Sequence, residues 1–228
     1  MTDSLRLHYA PDNASLCVRL ALETCGLPYE TALVDRAASA QKSPAYLALN
    51  PMGLIPVLET PDGIISETAA ILLWVSERCP ELFAAPGTPQ RASELRWLVW
   101  LSNSLHAAER ILFYPDQHIA LHATEALRLR TRERIAEMLA ILNDAPDADW
   151  LETRTGIVNC YLGPLLRWPA LYGGDTGWYV LENWPRLFQF AIRFEQTQPA
   201  LRVAEAEGLG PTIFSAPVPP NPPEGSAT

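Results

Sequence analysis

At 228 residues the chain exceeds one small domain and falls short of three, so the reading is bounded at one or two domains. With 48% of its residues apolar and 19% charged, it can bury a sizeable core without disulfide staples. A formal charge of -9 argues against a nucleic-acid surface, whose sequence-independent affinity comes from clustered Lys and Arg.

In chain order, Leu5-Arg6-Leu7-His8-Tyr9 alternates apolar and polar as a half-buried strand does, and Ala10-Pro11-Asp12-Asn13 is a turn cluster that stops it. From Ala14 the spacing becomes helical, with Leu16 and Leu20, then Cys17 and Ala21, four apart. Gly26 caps this helix and Tyr29 to Val34 reads as a second strand, which completes a βαβ unit. Ser43 to Leu49 is a short helical or irregular stretch. Ile55 to Glu59 and Gly63 to Ser66 read as strands joined by the Pro-Asp-Gly turn at Pro61-Asp62-Gly63. Glu67 to Arg78 reads as a helix.

Pro80 to Pro89 holds three prolines and a glycine and reads as a linker. Beyond it, helices are expected over Arg91 to Leu112, Ala123 to Leu142, Ile157 to Trp168 and Pro185 to Glu195. Ser215 to Thr228 carries five prolines with nothing to bury and is expected to be a disordered or polyproline-like tail. The four cysteines, Cys17, Cys25, Cys79 and Cys160, form no CxxC or zinc-finger spacing. The start carries no secretory pattern, and no run approaches the ~20 apolar residues of a membrane-spanning helix. A reduced, cytoplasmic protein with no metal and no membrane or nucleic-acid partner is the expectation.

Asn50-Pro51-Met52-Gly53-Leu54-Ile55-Pro56-Val57-Leu58, followed after one hairpin by Ser66-Glu67-Thr68-Ala69-Ala70-Ile71-Leu72, resembles the glutathione transferase family. The resemblance covers essentially the whole chain and is densest in residues 5 to 80. It implies an α/β plus all-α fold. A thioredoxin-like βαβ-α-ββα domain (residues 1–80) and a linker (81–90) would precede an all-helical domain (91–214) and the Pro-rich tail (215–228). It also implies glutathione as co-substrate. Ile55, before a cis Pro56, would pair its backbone with the cysteinyl residue as an added strand does. Glu67 and Thr68, where a strand gives way to a helix N-terminus, would hold the γ-glutamyl end.

A transferase of this kind must favour the thiolate, because the thiolate is the nucleophile. The stretch Tyr9-Ala10-Pro11-Asp12-Asn13-Ala14-Ser15-Leu16 resembles the bacterial beta-class pattern Y-x-P-x-x-C-S-L, with Ala14 in place of the cysteine. Mixed-disulfide chemistry is thereby lost, and Ser15 or Asn13 is left to stabilise the thiolate. Ser15 could equally be a plain N-cap, and Tyr9, a further candidate for the activating hydroxyl at the glutathione site, is read first as a strand end with its ring packed inward. Ser102-Asn103-Ser104-Leu105-His106 resembles the beta-class segment whose His faces the cleft. Asn103 and His106, i and i+3 on one helical face, could share a ligand, while the cation expected next is Ala107.

Gly156-Ile157-Val158-Asn159 resembles the family's S/T-x-x-D capping box, so Gly156→Ser with Asn159→Asp is expected to raise stability. Of the seven tryptophans, Trp97, Trp100 and Trp168 stand as core or cleft material. His118 and His122, four apart, lack an evident third metal ligand, and Arg128, Arg130, Arg132 and Arg134 alternate with Glu as on a solvated face. The leading function is conjugation of glutathione to small hydrophobic electrophiles in detoxification, by a homodimer that meets through the first two helices of the helical domain. The alternatives are glutathione-dependent peroxide or disulfide reduction, and a non-catalytic scaffold.

Overall fold

The computed structural model describes residues 4–228. Strand β1 (Leu5–Tyr9) turns Leu5, Leu7 and Tyr9 inward and leaves Arg6 and His8 partly exposed, the two-residue period of its sequence. It pairs in parallel with β2 (Tyr29–Leu33) and antiparallel with β3 (Val57–Thr60), which pairs antiparallel with β4 (Gly63–Ser66). The sheet order is therefore β2-β1-β3-β4. Helix α1 (Ser15–Cys25) buries Leu16, Cys17, Leu20 and Ala21. It ends where Gly26 adopts φ 65°, a conformation glycine reaches without a Cβ clash, and the Leu27 N–H bonds back to Leu22. A short α2 (Pro44–Leu49) is capped by the Ser43 hydroxyl. Helix α3 (Thr68–Arg78) packs on α1 through Ile71, Leu72 and Val75. This is the expected thioredoxin-like half.

In the helical half, α4 (Pro89–Trp100) and α5 (Ala107–Phe113) replace the single helix expected over Arg91 to Leu112. A π-helical stretch, Leu101–His106, joins them. The remaining helices are α6 (Thr124–Asp144), α7 (Trp150–Thr153), α8 (Ile157–Arg167), α9 (Pro185–Glu195) and α10 (Gln198–Glu207). Every residue of α8 is buried, and it packs against α1, α3, α4 and α9, so one core runs through both halves. The sequence reading passed over α10, although the Thr197 hydroxyl caps it and Gly208, at φ 62°, closes it.

Three expectations need correction. Cys25 and Cys79 are bonded as a disulfide between the ends of α1 and α3, with their Cα atoms 5.9 Å apart, so the expected reduced state does not hold for this pair. The Pro-rich tail is not loose. Glu195 accepts from the Phe214 and Ser215 N–H groups and the Ser215 hydroxyl, Arg167 donates to the Val218 carbonyl, and the Asn221 N–H donates to Gly208. A proline-rich strand has few N–H groups but keeps every carbonyl, so donors reaching from the fold can fix it without burying a side-chain face.

The third correction is the capping box. The Asn159 Oδ1 accepts from the Gly156 N–H at 2.8 Å, while its Nδ2 donates to the Trp150 carbonyl at 3.1 Å. A Cβ on Gly156 would stand 2.6 Å from the Leu82 carbonyl oxygen. The box is thus already closed on one side, and the proposed stabilising pair of substitutions has no room.

Candidate active site

The turn after β1 is bolted to the helical half. Asp12, at φ 53° and 4% exposed, accepts from Arg167 Nε (2.9 Å), Trp168 Nε1 (2.9 Å) and the Tyr172 hydroxyl (2.6 Å). Its own N–H donates to Glu207, which also pairs with Arg19. Asp is among the few side chains that tolerate a left-handed backbone, and the strain is held by these four contacts.

This anchoring sets Asn13 and Ala14, at the N-terminal end of α1, on the wall of a cleft of about 670 Å³ between the two halves. Ile55 lines the same cleft, and the Ile55–Pro56 bond is cis as the resemblance implies. Among the described residues, neither the N–H nor the C=O of Ile55 has a hydrogen-bond partner. The facing wall is His106, Arg110, Phe113, Trp168 and Tyr172.

The predicted residues divide between the cleft and its surroundings. Asn13, Ile55 and His106 line it. Ser15 does not: it is fully buried, and its hydroxyl is bonded to the backbone of Ala10, donating to the carbonyl at 3.1 Å. That is a local loop contact, closer to the N-cap alternative than to a thiolate donor. Tyr9 is buried with its hydroxyl on Glu224 of the tail; burial and that carboxylate push the phenol above its ordinary value. Pro56 is buried beside Ile55. Thr68 is buried as the first residue of α3, and exposed Glu67 holds φ 73° and ψ 114° just before it. Both lie outside the cleft lining. A non-glycine residue in that region costs on the order of 1–3 kcal/mol, and such strain clusters at ligand clamps.

Asn103 is exposed and does not share the wall with His106. Their separation of three residues gives a common face only in a regular α-helix, and the π-helical stretch between them widens the turn. His106 Nδ1 lies 2.9 Å from the Tyr161 hydroxyl. Burial, and then the charge of Arg110, pull its pKa down to about 4, so the ring is neutral at neutral pH. Of the three tryptophans, Trp168 reaches the cleft, whereas Trp97 is core and Trp100 stacks edge-on against it at 5.1 Å. Cys17 and Cys160 are fully buried, and burial raises both thiols, Cys160 to about 12. Neither is a nucleophile.

Sequence reasoning missed Asp12, Arg36, Lys42 and Arg110. Arg36 donates to Asn13 Oδ1 and the Tyr114 hydroxyl. The Asn13 amide donates to the carbonyls of Pro11 (2.8 Å) and of Ala227 in the tail (3.0 Å). Asp12 carried a usable signal, a short acid inside a turn cluster; the cations carried none, because their convergence depends on how the halves dock. Among the described residues no three His, Cys, Asp or Glu groups gather as metal ligands would, and no helix is long and apolar enough to cross a membrane.

Two titratable groups at the domain junction, part-buried His106 and fully buried Glu207, give opposite pH dependences. His106, near pH 4 in the fold against an ordinary 6.5, binds its proton more readily in the unfolded chain, so its contribution is lost as pH falls through that window. Burial raises Glu207 from 4.5 to about 7, against the pull of Arg19, so the fold holds a proton the unfolded chain lacks and its contribution is lost as pH rises from 4.5 to 7. Melting temperatures measured from pH 4 to 8 should show His106→Phe lessening the acid-side loss and Glu207→Gln lessening the decline toward neutrality. Parallel curves for wild type and both variants would refute this.

Residues 14–78 match the family model described as the glutathione S-transferase N-terminal domain. Glutathione S-transferase GST-4.5 of Xanthomonas campestris pv. campestris is 31% identical over 215 residues, 90% of this chain and 100% of the relative. Glutathione S-transferase GstA of Escherichia coli O157:H7 is 28% identical over 211 residues, 90% of this chain and 100% of the relative. A sphingomonad glutathione S-transferase solved as a complex with glutathione superposes with a TM-score of 0.73 at 27% identity, covering 90% of this chain and 100% of that one. The match runs the length of the relatives and through both halves of the fold: the chain belongs to the glutathione S-transferase family of enzymes.

Proposed function

We propose that the protein binds glutathione along Ile55 and transfers its sulfur to small electrophiles held against the helical wall. The observation that carries this reading is the unpartnered Ile55 peptide group, two residues before β3 and on the lining of a cleft large enough for a tripeptide. The strained Glu67 before the α3 N-terminus, with Thr68, would take the γ-glutamyl end. The thiol would lie by Ala14, where the dipole of α1 favours its ionised form and the Asn13 amide would give up the Ala227 carbonyl to donate to it. With Ala14 at the beta-class cysteine position, no protein thiol stands ready for a mixed disulfide, which favours transfer over disulfide reduction. Detoxification in the cytoplasm and a homodimer complete the reading. Exposed Leu95 and Val99 on α4 and Leu129 and Ile141 on α6 are apolar surface suited to that contact.

Calorimetric titration with reduced glutathione is the test. Saturation below about 10 mM is expected, with affinity lost in Glu67→Ala. Asn13→Ala should keep the affinity and lower turnover with a chloronitroarene by about 10²-fold, the scale for removing one donor from a developing anion. No heat and no change in melting temperature at 10 mM glutathione would leave only the scaffold reading.

A further inference from the structure

We infer that the electrophile this enzyme prefers carries a carboxylate on an aromatic body, and that Arg110 is the residue that selects it. The inference rests on the transferase reading above. It begins from a mismatch of charge: the chain is acidic overall, at -9, yet Arg36, Lys42 and Arg110 all line the cleft. The one acidic side chain in that lining, Asp12, is already consumed by Arg167, Trp168 and Tyr172. His106 beside it is neutral.

The three cations are not equivalent. Arg36 spends donors on Asn13 and Tyr114, and Lys42 precedes α2 on the thioredoxin side, where glutathione lying along Ile55 would bring its glycyl carboxylate. Arg110 stands on α5, across the cleft. Among the described residues its side chain has no hydrogen bond and no ion pair; its guanidinium lies 5.7 Å from the Tyr114 ring centroid. His106, Arg110, Phe113 and Tyr114 fall at i, i+4, i+7 and i+8, so the cation sits within an aromatic stripe on the face turned to the cleft. A neutral co-substrate seated there would cover the guanidinium and strip water from it without replacing those contacts, whereas a carboxylate would accept the planar fork of donors. The selection is therefore against neutral electrophiles as much as for anionic ones.

The chemistry balances with glutathione alone. With 4-chloro-3-nitrobenzoate, the thiolate sulfur attacks the ring carbon that bears chlorine; the C–S bond forms, the C–Cl bond breaks with its electron pair, and chloride leaves. The thiol proton has by then gone to solvent.

The test uses the two finished conjugates, so that it reads affinity whether or not turnover is fast. S-(4-carboxy-2-nitrophenyl)glutathione and its methyl ester are titrated by calorimetry into wild type, Arg110→Met and Arg110→Lys, with melting temperatures checking that each variant is folded. Wild type is expected to bind the carboxylate conjugate about tenfold or more tightly than the ester. Arg110→Met should erase that preference and move the ester by less than about threefold, and Arg110→Lys should keep part of it. Equal binding of both conjugates by wild type, or a preference that survives in Arg110→Met, overturns the proposal. If reduced glutathione and both conjugates give no heat, the transferase reading falls with it; if glutathione binds and the preference alone is missing, only the carboxylate assignment falls.

Discussion

Asp12→Ala is expected to lower the free energy of unfolding by about 3–5 kcal/mol, the scale for removing one partner of a buried ion pair. Arg167 is fully buried, so without Asp12 its charge has no acidic partner and can reach no water. Trp168 Nε1 and the Tyr172 hydroxyl lose their acceptor in the same change. Arg167→Met in the Asp12→Ala background should recover part of the loss, because an apolar side chain of similar length leaves no stranded charge. Urea unfolding of wild type, the single variants and the pair measures this. A loss below about 1 kcal/mol in Asp12→Ala would mean that water or a neighbouring group replaces the carboxylate. The change should also reach the chemistry, since Asp12 holds the turn that presents Asn13 and Ala14 to the cleft.

Gly156→Ser is expected to destabilise by about 1–3 kcal/mol, the opposite of what the capping pattern alone promises. The added Cβ meets the Leu82 carbonyl at 2.6 Å, and a backbone oxygen held by its own short helical turn cannot swing aside as a side-chain tip would. Asn159→Asp should cost a similar amount on its own. Asn159 is 1% exposed and its amide donates to the Trp150 carbonyl; an aspartate would put a second acceptor there, and a buried charge as well. The two positions touch, so their costs need not add. A melting temperature at or above wild type for Gly156→Ser would show that the Leu82 segment yields, and for Asn159→Asp that the acid binds a proton and donates it to the Trp150 carbonyl.

Local pattern carried the strands, the hairpin and most helices, because alternation, four-residue spacing and Gly caps are all written within a few residues of one another. Leu5 to Tyr9 and Gly63 to Ser66 have the expected bounds in the structure. What local pattern could not carry was anything decided across the chain. Ser15 offered a hydroxyl at a helix start, but its nearest acceptor was the Ala10 carbonyl in the preceding turn. Asn103 and His106 parted company because the backbone between them is π-helical, which their spacing did not reveal. The Asp12–Arg167 pair joins positions 155 residues apart, beyond any window in which composition or period speaks. The Gly156 case is the sharpest: the signature was legible, and the obstacle was a carbonyl from another segment.

The path of the final residues has a practical side. Ala227 and Thr228 lie on the rim of the cleft, and Ala227 is bonded to the Asn13 amide. A purification handle or fluorescent reporter fused after Thr228 would therefore emerge at the doorway through which substrates enter. Kinetics recorded with such a fusion would report on the appendage as well as the enzyme, and a cleavable handle would show how much of the signal belongs to each.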